Sequence, residues 1–276
     1  MAEGEERIVA YLGPEGSYTH QAAQTAFPPP TTSATLRPVP TIEHVFSAVQ
    51  TGAAHRGVVP FENSSNGSVV FTLDLFADLQ AKYPGILAWG QCKTFLSSHL
   101  AHAERHDASS TSRAAEIAAA DKTGRTAALS SPIAADLFGL HVLARSVNDV
   151  VGNTTRFLVI RRTDEPTTTA AEAAVADAAE AHEDRFKSLV TFTVEHSNPG
   201  ALAACLTVFS RNGINLTSIN TRPSGVERWN YIFFVEFKGR RRQDDGGGVV
   251  NKALRELEGV CKRCRWLGSW ENRLLE

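Results

Sequence analysis

The sequence predicts an α/β fold in two domains, and four observations carry that reading. Across the first 160 residues, short β-branched runs alternate with stretches of helical periodicity. At residues 13–17, 61–68 and 152–156 a strand-like run adjoins a knot of polar residues. From Thr163 to Lys187 the composition shifts to Ala, Glu and Thr with few large apolar side chains, which reads as a linker. Beyond it the periodicities follow the order strand, helix, strand, strand, helix, strand, which is the ferredoxin-like βαββαβ unit.

Residues 7–12 read as a strand, 13–16 as a glycine turn, and Ser17 as the cap of a helix running toward Phe27, where Pro28, Pro29 and Pro30 end it. Thr41 caps a helix over 41–51. Residues 56–59 form a strand that stops at Pro60, and the polar stretch 61–68 leads into an apolar helix over 69–79. A helix over 112–120 and a strand over 157–160 complete the first domain. In the second, strands are expected at 189–196, 214–222, 229–237 and 260–270. Helices are expected at 199–212 and 249–257, the latter preceded by a glycine-rich loop through Gly248.

With 276 residues, 42% of them hydrophobic and 21% charged, the chain can bury two cores. A formal net charge of −2 offers no general attraction for nucleic acid or for an anionic membrane, and the run Arg240, Arg241, Arg242 is followed by Asp244 and Asp245. No segment approaches the ~18 consecutive apolar residues of a membrane helix, and residues 1–7 have no apolar signal core, so a cytoplasmic protein is expected. Four cysteines do not make a disulfide framework, and Cys261 with Cys264 is a lone C-x-x-C, better read as packed thiols than as a zinc site. No metal is expected.

The residue types at 152–156 suit binding. Gly152 and Asn153 permit tight backbone geometry, Thr154 and Thr155 supply hydroxyls, and Arg156 offers a planar fork for a carboxylate. The plainer alternative is a turn before a strand, with Arg156 in solvent. In open α/β sheets ligands collect at the carboxyl ends of strands, so the three polar junctions are expected to converge on one crevice.

The runs Gly-Pro-Glu-Gly-Ser-Tyr-Thr-His-Gln-Ala-Ala (13–23), Val-Pro-Phe-Glu-Asn-Ser-Ser-Asn-Gly (59–67) and Asn-Thr-Thr-Arg-Phe (153–157) together resemble prephenate dehydratase. The resemblance implies a two-lobed, periplasmic-binding-protein-like catalytic domain over 1–163, a linker over 164–187 and an ACT regulatory domain over 188–276. It implies conversion of prephenate to phenylpyruvate, in phenylalanine biosynthesis. In that reading Arg156 clamps a substrate carboxylate, Thr155 donates to the departing hydroxyl, and Asn63 and Ser64 add donors. Gly16, Ser17, Asn153 and Thr154 would line the substrate. Glu62 stands open between proton source and brace of the turn. No cofactor is required, because the reaction is redox-neutral and strongly downhill.

His196-Ser-Asn-Pro-Gly-Ala-Leu202, Ile214-Asn-Leu-Thr-Ser-Ile219 and Thr221-Arg-Pro223 resemble the amino-acid-binding ACT domain that follows the dehydratase domain in this family. They imply a phenylalanine effector held by His196, Asn198, Gly200, Ala201, Leu202, Asn220, Thr221, Arg222 and Pro223, between subunits of a homo-dimer or homo-tetramer. Asn220 and Thr221 stand where the family usually has Glu and Ser. Thr keeps the hydroxyl; Asn removes a charge.

Between the apolar stretch near Phe95 and the helix at 112–120, the family usually carries a further strand, turn and helix. Here only a short run with His99, His102 and His106 intervenes, read as a solvated loop in preference to a metal site. The shortness keeps a second function open: a weakly active or non-catalytic phenylalanine-binding protein. Arogenate remains an alternative substrate.

Overall fold

The computed structural model describes residues 7–28, 34–64, 67–77, 104, 106–147, 154–161, 185–224, 229–242 and 248–272. The chain divides into two compact units: Met1–Thr72 with Lys82–Glu165, and Leu73–Ala81 with Pro166–Glu276.

In the first unit, β1 (Arg7–Leu12) lies between β2 (Ala34–Val39) and β3 (Arg56–Asn63), parallel to both. On β3 pair two antiparallel strands, the two-residue β4 (Gly67–Ser68) and β5 (Thr155–Ile160). The period of two in the strands sorts the core onto two faces. Val9, Tyr11 and Val58 pack with Ala23 of α1 (Tyr18–Ala26); Ala10 and Val59 pack with Val45 and Val49 of α2 (Ile42–Gln50). Gly57 lets α2 come down on the sheet: a Cβ there would lie 2.6 Å from Val45 Cγ1 and 2.8 Å from Ile160 Cγ1.

The caps fall where the sequence predicts them. Ser17 accepts from the His20 amide and Thr41 from the His44 amide. Strand β2 is absent from the predicted elements because Pro38 interrupts its pattern; as the outermost strand of the sheet it tolerates a residue without an amide proton. The helix α3 (Val70–Ala77) follows β4, and α4 (Thr111–Ala120) matches the helix expected over 112–120. A further helix, α5 (Pro132–Phe138), carries Pro at its first turn and ends on left-handed Gly139, signals present in the sequence but not used in the prediction. The run holding His99 and His102 lies outside the described residues, and exposed His106 pairs with Glu104 at 3.4 Å.

The third polar stretch leads into its strand as the sequence predicts, and β5 begins two residues earlier than expected, at Thr155. Because β5 is antiparallel to β3, its first residue is brought beside Asn63, the last residue of β3.

The second unit contains β6 (Phe186–Thr193), α6 (Ala201–Arg211), β7 (Leu216–Pro223), β8 (Tyr231–Lys238), α7 (Val249–Val260) and β9 (Arg263–Glu271). The sheet order is β7-β8-β6-β9 with every pair antiparallel, the βαββαβ arrangement predicted. Val190, Phe192, Val235 and Phe237 face Cys205, Phe209, Ala253 and Leu257 in one core. Strand β6 begins at Phe186, so its first two residues fall in the stretch read as linker. Helix α7 continues through Gly259 to Val260, and the last strand starts correspondingly later than predicted. Burial pushes the Cys205 thiol up to about 11 and the Cys264 thiol up to about 12. Among the described residues no group of three His, Cys, Asp or Glu side chains is placed to hold a metal ion, and no helix is long and apolar enough to cross a membrane.

Candidate active site

The site is built where β3 and β5 pair. Up to Pro60 the register is regular, with Pro60 opposite Phe157; then it shifts, so that Glu62 opposes Arg156 and Asn63 opposes Thr155. Phe61 is the extra residue of this β-bulge, and its ring is buried. The guanidinium of Arg156 sits 4.9 Å from the centre of that ring and donates to Glu62 Oε2 at 2.7 Å, with the Arg156 side chain 11% exposed. Arg156 is therefore not in solvent, and the plainer alternative for this residue fails. Its carboxylate partner in the structure is Glu62.

One residue further on, Asn63 Nδ2 donates to Thr155 Oγ1 at 3.0 Å. A hydroxyl oxygen that accepts keeps its own proton to donate, so the exposed Thr155 hydroxyl is set up as a donor. The segment before it is clasped twice: Ser64 N donates to Thr154 O at 2.9 Å, and Thr154 N donates to Ser64 Oγ at 3.0 Å. Asn153 lies outside the described residues. Glu62, Asn63, Ser64, Thr154, Thr155 and Arg156 are thus brought together by one strand pairing.

Gly16 and Ser17 lie at the carboxyl end of β1, the same end of the sheet, and are bound into their own loop. Gly16 has φ +78°. Its amide donates to His20 Nδ1 at 3.0 Å, and its carbonyl accepts from Ser131 Oγ at 2.5 Å. The Glu15 carbonyl accepts from Ser112 Oγ. The Ser17 hydroxyl donates to Leu12 O at 3.2 Å while capping α1. His20 stacks on Tyr11 with ring centres 4.8 Å apart, and burial holds its pKa below the ordinary value, against the opposing pull of Glu15. A neutral ring is what an Nδ1 acceptor requires. Sequence reasoning misses His20, Ser112 and Ser131. The first has a local signal, four residues after Gly16 on a helix; the two serines come from about a hundred residues downstream and have none.

In the second unit His196 Nε2 accepts from the Tyr231 amide at 3.0 Å, and Tyr231 pairs in register with Pro223. Asn198 accepts at its carbonyl from Ala201 N, and Gly200, with φ +89°, opens α6 with clear space around it. Leu202 lies in the first turn, packed against the core. Along β7, Asn220 Nδ2 donates to Ser218 Oγ at 3.1 Å and Thr221 pairs with Phe233. Arg222 forms a bidentate pair with Asp74, Nε to Oδ1 at 2.5 Å and Nη2 to Oδ2 at 3.0 Å.

The family model described as prephenate dehydratase matches residues 9–85 and 86–165, and that of the ACT domain matches residues 188–257. The chain belongs to the prephenate dehydratase family. It is 35% identical to the bifunctional chorismate mutase/prephenate dehydratase of Aquifex aeolicus, over 97% of this chain and 74% of that protein. It is 34% identical to the prephenate dehydratase of Mycobacterium leprae, over 95% of this chain and 86% of that one. Among solved structures, the prephenate dehydratase of Arthrobacter aurescens in complex with L-Phe superposes with a TM-score of 0.73 at 27% identity, covering 96% of this chain and 90% of that one. The fold class is the α/β one expected, a prephenate dehydratase domain followed by an ACT domain. The family match continues through 86–165, where the sequence reads short. The activity is that of a carbon–oxygen lyase: prephenate loses carbon dioxide and its ring hydroxyl to give phenylpyruvate.

Proposed function

We propose that the Asn63–Thr155 pair acts on the departing hydroxyl of prephenate and that Arg156, braced by Glu62, takes a substrate carboxylate. The carrying observation is the 3.0 Å bond from Asn63 Nδ2 to Thr155 Oγ1, which leaves the threonine proton pointed away from its partner. As the ring carboxylate leaves as carbon dioxide, its bonding electrons pass into the ring. The bond to the hydroxyl breaks at the far side, and the departing oxygen takes up a proton to leave as water. Charge develops on that oxygen, and a positioned donor there is worth ~10²–10⁴ in rate. A threonine hydroxyl is too weak an acid to give up its proton outright, so Thr155 stabilises by hydrogen bonding, with the proton relayed from water. Ser64 and Thr154 hold the turn, and Gly16, Ser17 and Asn153 border the substrate. Because the reaction is redox-neutral, these groups suffice without a cofactor.

In this reading the catalytic domain spans 1–163, a linker 164–187 and the ACT domain 188–276. L-Phenylalanine, the ligand in the Arthrobacter aurescens structure, is the effector. His196, Asn198, Gly200, Ala201, Leu202, Asn220, Thr221, Arg222 and Pro223 form its binding surface, completed by a second copy in a homo-dimer or homo-tetramer. Exposed Ile219 on the outermost strand β7 supports that pairing. We place the enzyme in the cytoplasm, where its thiols stay reduced. Calorimetric titration of the full chain with phenylalanine, alongside prephenate turnover at rising phenylalanine, tests the regulation. Heat of binding with falling turnover is expected; turnover without any phenylalanine binding would remove the effector role.

A further inference from the structure

A bulge leaves backbone carbonyls without their ladder partners, and buried carbonyls need donors. At the β3 bulge the start of α3 supplies them. Val69 N donates to Phe61 O at 2.8 Å, and the fully buried Thr72 donates its hydroxyl to Pro60 O at 2.6 Å. Pro60 has no amide proton of its own, which suits it to this break in the ladder. The geometry points to Thr72 as a positioning residue for the reaction, holding the bulge that sets Asn63 opposite Thr155. The inference rests on the role proposed above for Thr155.

The logic is one of register. Without the bulge, every residue of β3 after Pro60 would swap faces, because the side-chain period is two. Phe61 would leave the place where its ring carries Arg156, and Asn63 would no longer reach the Thr155 hydroxyl. Two consecutive carbonyls pinned by one helix start hold the bulge in place, and Thr72 provides the only side-chain bond to either among the described residues. The sequence signal is faint, a threonine in a helix whose one other polar residue is Asp74.

The test is a double-mutant cycle read by kcat and KM. Thr72→Val keeps the shape and removes the hydroxyl; it is expected to lower kcat about tenfold with KM within about twofold, while Thr72→Ser restores kcat. In a Thr155→Ala background the same Thr72→Val change should cost less than about twofold, since the group being positioned is gone. Unchanged kcat in Thr72→Val, a loss that multiplies in full with that of Thr155→Ala, or a comparable loss in a well-folded Thr72→Ser would overturn the inference. Should Thr155→Ala itself keep normal turnover, it is the proposed role of Thr155 that fails, and the two failures are told apart.

Discussion

The side-chain amide of Asn63 lies 3.0 Å from the Thr155 hydroxyl oxygen, although 92 residues separate them in the chain. The direction of that bond is what matters. The amide donates and the hydroxyl accepts, so the threonine proton stays available for an oxygen on the substrate side.

Replacing Asn63 tests the direction itself. Asn63→Ala removes the orienting donor and is expected to lower kcat by about one order of magnitude. Asn63→Asp should cost more than Ala, despite its near-identical shape, because a carboxylate cannot donate and would draw the Thr155 proton inward. Steady-state rates on prephenate rank the two; an Asp variant more active than the Ala variant would reverse the assigned direction.

Glu62 and Arg156 make a second, separable prediction. As a brace, Glu62 can lose its charge without removing a proton source, so Glu62→Gln should retain most of kcat and the acidic limb of the pH profile. A proton donor would instead lose ~10²–10⁴ in rate together with that limb. Arg156→Lys keeps the charge but loses the planar fork. It should raise KM more than it lowers kcat, read from saturation curves.

The buried acceptor His20 gives a dependence on pH. Burial lowers its pKa in the fold below the ordinary 6.5, so the unfolded chain takes up the proton first as the solution is acidified. Stability from this group is therefore complete above pH 6.5 and drains away as pH falls below it. Protonation also removes the Nδ1 acceptor of the Gly16 amide. Thermal unfolding midpoints measured from neutral to mildly acidic pH should fall more steeply for the native chain than for His20→Asn, whose carbonyl takes over as a non-titrating acceptor. Parallel curves would remove His20 as a contributor.

Local features of this fold were legible in the sequence, and long-range ones were not. Ser17 and Thr41 cap helices because a cap depends on the next three residues alone. The βαββαβ order of the second unit followed from periodicity. What lay out of reach was the antiparallel seating of β5 on β3 and the extra residue Phe61, since a register depends on a partner far away in the chain. For the same reason Arg156 could be read as a carboxylate binder without any sign that Glu62 is the carboxylate it meets. Pro38 hid β2, and the hydroxyls of Ser112 and Ser131 gave no hint of the loop they hold.

The central claim is that the Thr155 hydroxyl, oriented by Asn63, assists departure of the ring hydroxyl. The most direct test is phenylpyruvate formation from prephenate, followed by its ultraviolet absorbance after alkaline quench, for the native chain, Thr155→Ala and Thr155→Ser. Turnover by the native chain, a fall in kcat of ~10²–10⁴ in the alanine variant with its fold intact, and substantial recovery in the serine variant are predicted. Near-native turnover by Thr155→Ala would contradict the account.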